Sequence, residues 1–222
     1  RDLFSLVKKG RVRPKIVKNP WQPIHDASLL TEVRLTFADS KVNSSPADWI
    51  VPVGNQSGLK VRKSGDRKVL HATADDSPLI ALYSPWNLNA FEFGARMHIP
   101  KESKGDVSLV FGYQDEDNFG RLYLDPHQGL VRTSRIVNAK ETVIDERNIS
   151  AFAGHWVEIE IEVEEDEFEF QFLDESNPQA EVEYILRGHV PFPKGPVGFH
   201  LPAHGSAEFR EFTIEDNGWN RG

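Results

Sequence analysis

Apolar side chains recur at every second position in one short run after another, and a period of two marks β-strands that bury a single face. Phe91, Phe93, Ala95, Met97 and Ile99 share one parity, which leaves Glu92, Gly94, Arg96 and His98 on the other. Val157, Ile159, Ile161 and Val163 repeat the pattern, and Phe168, Phe170 and Phe172 take it up again after a short break. Comparable runs extend from Val33–Phe37 to Phe212–Ile214, separated by turn formers such as Ser64-Gly65-Asp66, Lys104-Gly105-Asp106 and His127-Gln128-Gly129. Phe (14) and Trp (5) far outnumber Met (1), which suits a pleated, half-buried surface. The spacing predicts an all-β fold of two antiparallel sheets, with Phe93, Val107, Leu109, Phe111, Ile159, Ile161, Phe170, Phe172 and Phe199 buried between them. Phe209 and Phe212 lie three apart and break parity, so a bulge or strand end is expected there.

A chain of 222 residues can hold one sizeable core. The expected organisation is an extended N-terminal arm over residues 1–30, rich in proline, followed by one sandwich domain over 31–222. The arm carries Lys8, Lys9, Arg11, Arg13, Lys15 and Lys18, read as a solvated linker to a membrane, a signal sequence or another domain. A net charge of −8 argues against a nucleic-acid partner, because such proteins need a concentrated basic field. Without cysteine, disulfides, thiolate metal sites and cysteine nucleophiles are excluded. No apolar run is long enough for a membrane-spanning helix.

Several segments together resemble the concanavalin A-like lectin/glucanase superfamily, in its laminin-G-like and keto-disaccharide-hydrolase-like branches. They are Phe91-Glu-Phe-Gly-Ala-Arg-Met97, Val110-Phe-Gly-Tyr-Gln-Asp-Glu-Asp-Asn-Phe119, His155-Trp156-Val-Glu-Ile159, Gly195-Pro-Val-Gly-Phe199 and Ala207-Glu-Phe-Arg-Glu-Phe212. The resemblance implies a two-sheet jelly roll, an exported bacterial protein located outside the cell or in the periplasm, and a carbohydrate partner. The G-x-S-G-x-Y stretch and Y-E-x-Q strand usual in the hydrolase-like branch do not occur here, so the resemblance reaches the fold further than the activity.

Three constellations could carry chemistry. Glu158, Glu160 and Glu162 lie at period two and resemble the E-x-D-x-E strand of laminarinase-type glycoside hydrolases, where paired carboxylates cleave the glycosidic bond. With Glu167 and Glu169 beside them, they also read as the solvated face of an acidic edge hairpin, and on that reading all three are exposed and dispensable. The acidic turn at Asp115, Glu116, Asp117 and Asn118 offers Asp115, Asp117 and Asn118 as oxygen ligands for calcium, or forms a hairpin turn whose side chains bond backbone amides. A dispersed set, Trp86, Glu92, Arg96, His98, Tyr113, Arg121, Tyr123, Arg132 and His200, supplies the aromatic surface and planar polar groups that sugar recognition needs. Parity puts Glu92, Arg96 and His98 on the outer side of the strand from Phe91 to Ile99, with Gly94 leaving room for a ring to approach. The expected function is a carbohydrate-binding module; a glycoside hydrolase or lyase and a structural or protein-interaction domain of a larger protein are the alternatives.

Overall fold

The computed structural model describes residues 32–88, 90–164, 167–187 and 192–217. The arm expected over residues 1–30, with its basic run, lies outside them. Among the described residues fifteen strands follow in order: β1 (Glu32–Thr36), β2 (Trp49–Val53), β3 (Leu59–Ser64), β4 (Arg67–Thr73), β5 (Leu79–Leu88), β6 (Phe91–His98), β7 (Val107–Asp115) and β8 (Asn118–Asp125). They continue as β9 (Leu130–Val137), β10 (Lys140–Asn148), β11 (Trp156–Val163), β12 (Glu167–Asp174), β13 (Asn177–Arg187), β14 (Gly195–Leu201) and β15 (Ser206–Asp216). Among the described residues helix is confined to a 3-10 turn at Gln56–Gly58, capped by the Asn55 side chain on the Ser57 amide.

The strands form two antiparallel sheets. The first runs β13-β12-β11-β6-β15-β4-β3, with β1 also paired to β15, and the second runs β10-β9-β8-β7-β14-β5-β2. Consecutive hairpins build blocks of neighbours, whereas β6–β11, β6–β15 and β5–β14 pair residues far apart in the chain. Between the sheets lies the core, and every residue expected there from parity is fully buried. Its centre is aromatic. Phe212 of β15 stacks on Phe93 of β6 and on Phe199 of β14, each at 6.1 Å between ring centroids, so one ring links both sheets.

The parity break at Phe209 and Phe212 is a register shift in β15 between Phe209 and Glu211. The extra residue lets both phenylalanines point inward and places Arg210 at the bulge. A second irregularity corrects an expectation. Trp86 was expected to offer a ligand-facing ring, yet β5 continues through Pro85, and its register against β14 shifts between Gly195 and Val197. Ser84 and Pro85 take the solvent side, and Trp86 turns into the core, 9% exposed, against Tyr83 at 6.3 Å.

Candidate functional site

Strand register arranges the outer face of the first sheet in rows. At one end Trp156, His98, Glu208, His71 and Lys60 lie side by side on β11, β6, β15, β4 and β3. The next row is Leu173, Glu158, Arg96, Glu211 and Thr36, followed by Gln171, Glu160, Gly94, Thr213 and Arg34. The last is an unbroken line of glutamates: Glu169, Glu162, Glu92, Glu215 and Glu32. Rows are two residues apart, about 7 Å, so Trp156 stands roughly 20 Å along the strand from Glu162.

This arrangement overturns the reading of Glu158, Glu160 and Glu162 as an exposed edge. β11 lies inside the sheet between β6 and β12, so its outward side chains are flanked on both sides. Glu158 is only 2% exposed and pairs with Arg96, whose Nη2 donates to Oε1 at 3.0 Å. That cationic partner comes from a residue 62 positions away in the chain. Burial, followed by the charges of Glu92, Glu158, Glu162 and Glu169, pushes the Glu160 carboxyl up to about 8. Glu160 is therefore largely protonated at neutral pH. Truncating Arg96 would leave the Glu158 carboxylate buried beside that cluster with its Arg96 salt bridge gone. Arg96→Ala is expected to cost about 2–3 kcal/mol in urea unfolding, and a loss below about 0.5 kcal/mol would show that the pair contributes nothing.

The opposite end of the face is open and chemically mixed. Arg210, turned outward by the bulge, lies over the Trp156 ring at 5.0 Å and pairs with Glu175. His98 packs on the same indole at 5.4 Å. Trp156 and Arg210 line a recess with Ser64, Arg67 and Val69, and it adjoins a second one of about 320 Å³ that shares Asp66, Arg67 and Arg210. Arg96, Lys68 and Glu211 reach that second recess. Glu211 accepts from Arg34 at 2.8 Å, and Glu208 accepts from Ser64 at 3.1 Å and lies 3.6 Å from His98. Beside Trp156, His155 Nδ1 lies 2.8 Å from Asp174. Burial would raise the Asp174 carboxyl, but hydrogen bonds from Ser176 and His155 outweigh it and hold it below the usual range.

The dispersed set of sequence candidates is therefore not one site. Glu92, Arg96 and His98 stand on the outer face of the first sheet, as parity required, whereas Tyr113, Arg121, Tyr123, Arg132 and His200 belong to the second sheet. There, Arg132, Tyr123, Ser108, His200 and Ile80 form one row. That face satisfies its charges internally: Arg121 pairs with Glu141 at 2.9 Å, Arg132 with Glu146 at 2.7 Å, and both guanidinium groups flank the Tyr123 ring at 5.4 and 5.2 Å. Burial, helped by the Arg121 charge, lowers the His200 imidazole to about 4, so it is neutral at physiological pH. Tyr113 stacks on Phe119 at 6.1 Å and packs on an apolar cluster with Ile80, Leu82 and Val110.

The acidic turn joins β7 to β8. Asp115 Oδ1 accepts from the Asp117 amide at 2.9 Å and from Asn118 Nδ2 at 2.7 Å, while Asn118 Oδ1 accepts from the Asn138 amide at 3.1 Å. These oxygens serve the hairpin, and among the described residues no group of three or more His, Asp or Glu side chains is arranged to hold a metal ion. Trp156, Arg67 and Arg210 were not among the sequence candidates. Parity could have found Trp156, since burying Val157 forces its neighbour outward; Arg210 depended on the bulge.

No family model matches the chain, and no curated protein matches it. Solved structures do. The carbohydrate-binding module CBM66 from Bacillus subtilis superposes with a TM-score of 0.58 at 18% identity, over 76% of this chain and 96% of that one. Lectin II from Ulex europaeus gives 0.57 at 10% identity, over 82% of this chain and 97% of the lectin. The GH43 protein BlXynB from Bacillus licheniformis gives 0.59 at 11% identity, over 82% of this chain but 39% of the larger protein. Identities this low speak for architecture alone: the chain has the jelly-roll sandwich fold of the concanavalin A-like kind.

Proposed function

We propose that this chain is a carbohydrate-binding module of an exported bacterial protein and that it holds its sugar on the outer face of the first sheet, in the recess beside Trp156. The observation that carries the reading is a pair of adjoining recesses, one lined by the Trp156 indole with Arg67 and Arg210, the other by Arg67, Arg96, Arg210 and Glu211. An aromatic surface takes the apolar face of a sugar ring, and guanidinium and carboxylate groups take its hydroxyls. The opposite sheet has a tyrosine between two arginines, each held by its own glutamate, whereas the recess beside Trp156 also holds Arg67, which forms no ion pair among the described residues. The fold shared with a module named for carbohydrate binding, and with a lectin, supports the same reading.

Trp156→Ala is expected to weaken polysaccharide binding at least tenfold, measured by affinity electrophoresis or calorimetry against a panel of plant and bacterial glycans. Its melting temperature should shift little, because the side chain points away from the core. Undiminished binding by this variant would move the site elsewhere.

Glycoside hydrolysis is a second reading, and it rests on Glu160, a carboxyl kept protonated near neutral pH as a general acid must be. Reducing-sugar release by the native protein that disappears in Glu160→Gln would carry that reading. Absence of release from every bound polysaccharide would leave binding as the function.

A further inference from the structure

We infer that the carbohydrate taken by this recess is anionic, a polysaccharide bearing uronate carboxylates that run along the β3–β4 hairpin; this rests on the carbohydrate reading above. The hairpin from Leu59 to Thr73 carries Lys60, Arg62, Lys63, Arg67 and Lys68 against the single acid Asp66, within a chain of net charge −8. Its turn forms one wall of both recesses through Ser64, Asp66, Arg67 and Lys68. The other cations of the region are matched: Arg34 with Glu211, Arg96 with Glu158, Arg210 with Glu175.

Arg67 and Lys68 differ. Among the described residues neither forms an ion pair, and Arg67 is exposed at the rim. Lys68 Nζ is fixed by donating to the Ala38 and Ser40 carbonyls at 2.8 and 2.9 Å, which uses two of its three hydrogens. A fixed ammonium beside a free guanidinium suits a carboxylate, which Arg can grip through two parallel hydrogen bonds.

The acidic character of the face does not cancel this field. The glutamate row from Glu169 to Glu32 lies roughly 20 Å from the Trp156 row, and charges in solvent are screened over about 8 Å at physiological ionic strength. The row acts instead as a boundary: a polyanion is repelled from that end and held to the end with Trp156 and the basic hairpin. β3 is an edge strand, and lysines on an edge also deter pairing with another chain. Edge protection alone would be indifferent to the charge of a glycan, so the two roles separate by experiment.

The test uses the full chain and matched polymers: polygalacturonate, alginate and glucuronoxylan, each beside its methyl-esterified or neutral counterpart, with duplex DNA as a polyanion that lacks sugar carboxylates on its surface. Expected is binding to at least one uronate polymer that falls tenfold or more on esterification, falls similarly between 50 and 500 mM salt, and is lost in both Arg67→Glu and Trp156→Ala. Arg67 is exposed at the first position of β4, so its reversal leaves the fold intact, as an unchanged melting temperature would confirm. Trp156-dependent binding to the neutral polymers that equals or exceeds binding to the charged ones would overturn the inference and leave the carbohydrate reading standing. Unaltered uronate binding by Arg67→Glu, or tighter binding to DNA than to any uronate polymer, would also overturn it. No binding to any polymer, charged or neutral, would overturn both.

Discussion

Glu160→Gln is expected to stabilise the protein by about 4–5 kcal/mol at pH 9 and to leave stability nearly unchanged at pH 4. The cause is the position of Glu160 between Gly94 and Gln171 in the interior of the first sheet, with Glu158, Glu162, Glu92 and Glu169 around it. Burial first, and these like charges second, raise its carboxyl from 4.5 to about 8. Because the folded value lies above the unfolded one, the native state keeps a proton that the unfolded state has already released between those two pH values. Stability from this group is complete below about pH 4.5 and is lost as pH rises through about 8. Glutamine has the shape of the protonated acid and cannot ionise, so the variant escapes that loss. Urea unfolding of both proteins from pH 4 to 9 gives the difference directly, and subtraction removes the groups they share. Burial likewise raises Glu32, Asp48 and Asp106, whereas hydrogen bonds lower Glu141 and Asp174. A difference between the two proteins that is flat across the pH range would refute a raised Glu160.

Phe212→Ala should cost about 4–5 kcal/mol, the upper part of the range for removing a buried aromatic ring. Phe212 is fully buried and stands where rings from both sheets meet. Trp49 lies at 4.8 Å, Phe209 at 4.9 Å, Phe93 and Phe199 at 6.1 Å, and Phe37 at 6.5 Å edge-on. Large, mutually wedged rings collapse poorly into the space of one that is deleted, so the cavity cost adds to the lost transfer energy. Phe212→Leu, which keeps most of the volume, should cost about 1–1.5 kcal/mol. A chemical-denaturation series in which the alanine variant loses less than about 2 kcal/mol would show that the centre of the sandwich repacks easily.

Much of this molecule is local information. A strand turns successive side chains to opposite faces whatever its neighbours, so alternation alone determined that Phe93, Phe111, Ile159 and Phe170 are inside and that Glu92, Arg96 and His98 are outside. The break at Phe209 and Phe212 signalled the bulge for the same reason. Turn residues marked where hairpins reverse, and Asp115 caps one of those turns with its own carboxylate.

Parity is silent about which sheet a strand joins and beside which partner, and that is where the site was decided. The outward residues of β6 and of β8 look alike in sequence, yet they lie on opposite surfaces of the sandwich, so Arg96 and Tyr123 never share a ligand. Glu158 looked like an edge residue because its hairpin partner is β12; the pairing with β6 made β11 an interior strand and brought Arg96 to it. Trp86 followed the local irregularity of β5 inward. Trp156, Arg67 and Arg210 come together because three separate strand pairings and one bulge converge at one corner of the first sheet. The sequence by itself determined the strands, their buried faces and the core, since these depend on a two-residue period; only the tertiary structure decided strand order, and with it which outward side chains share a surface, because backbone ladders between residues far apart in the chain set that order.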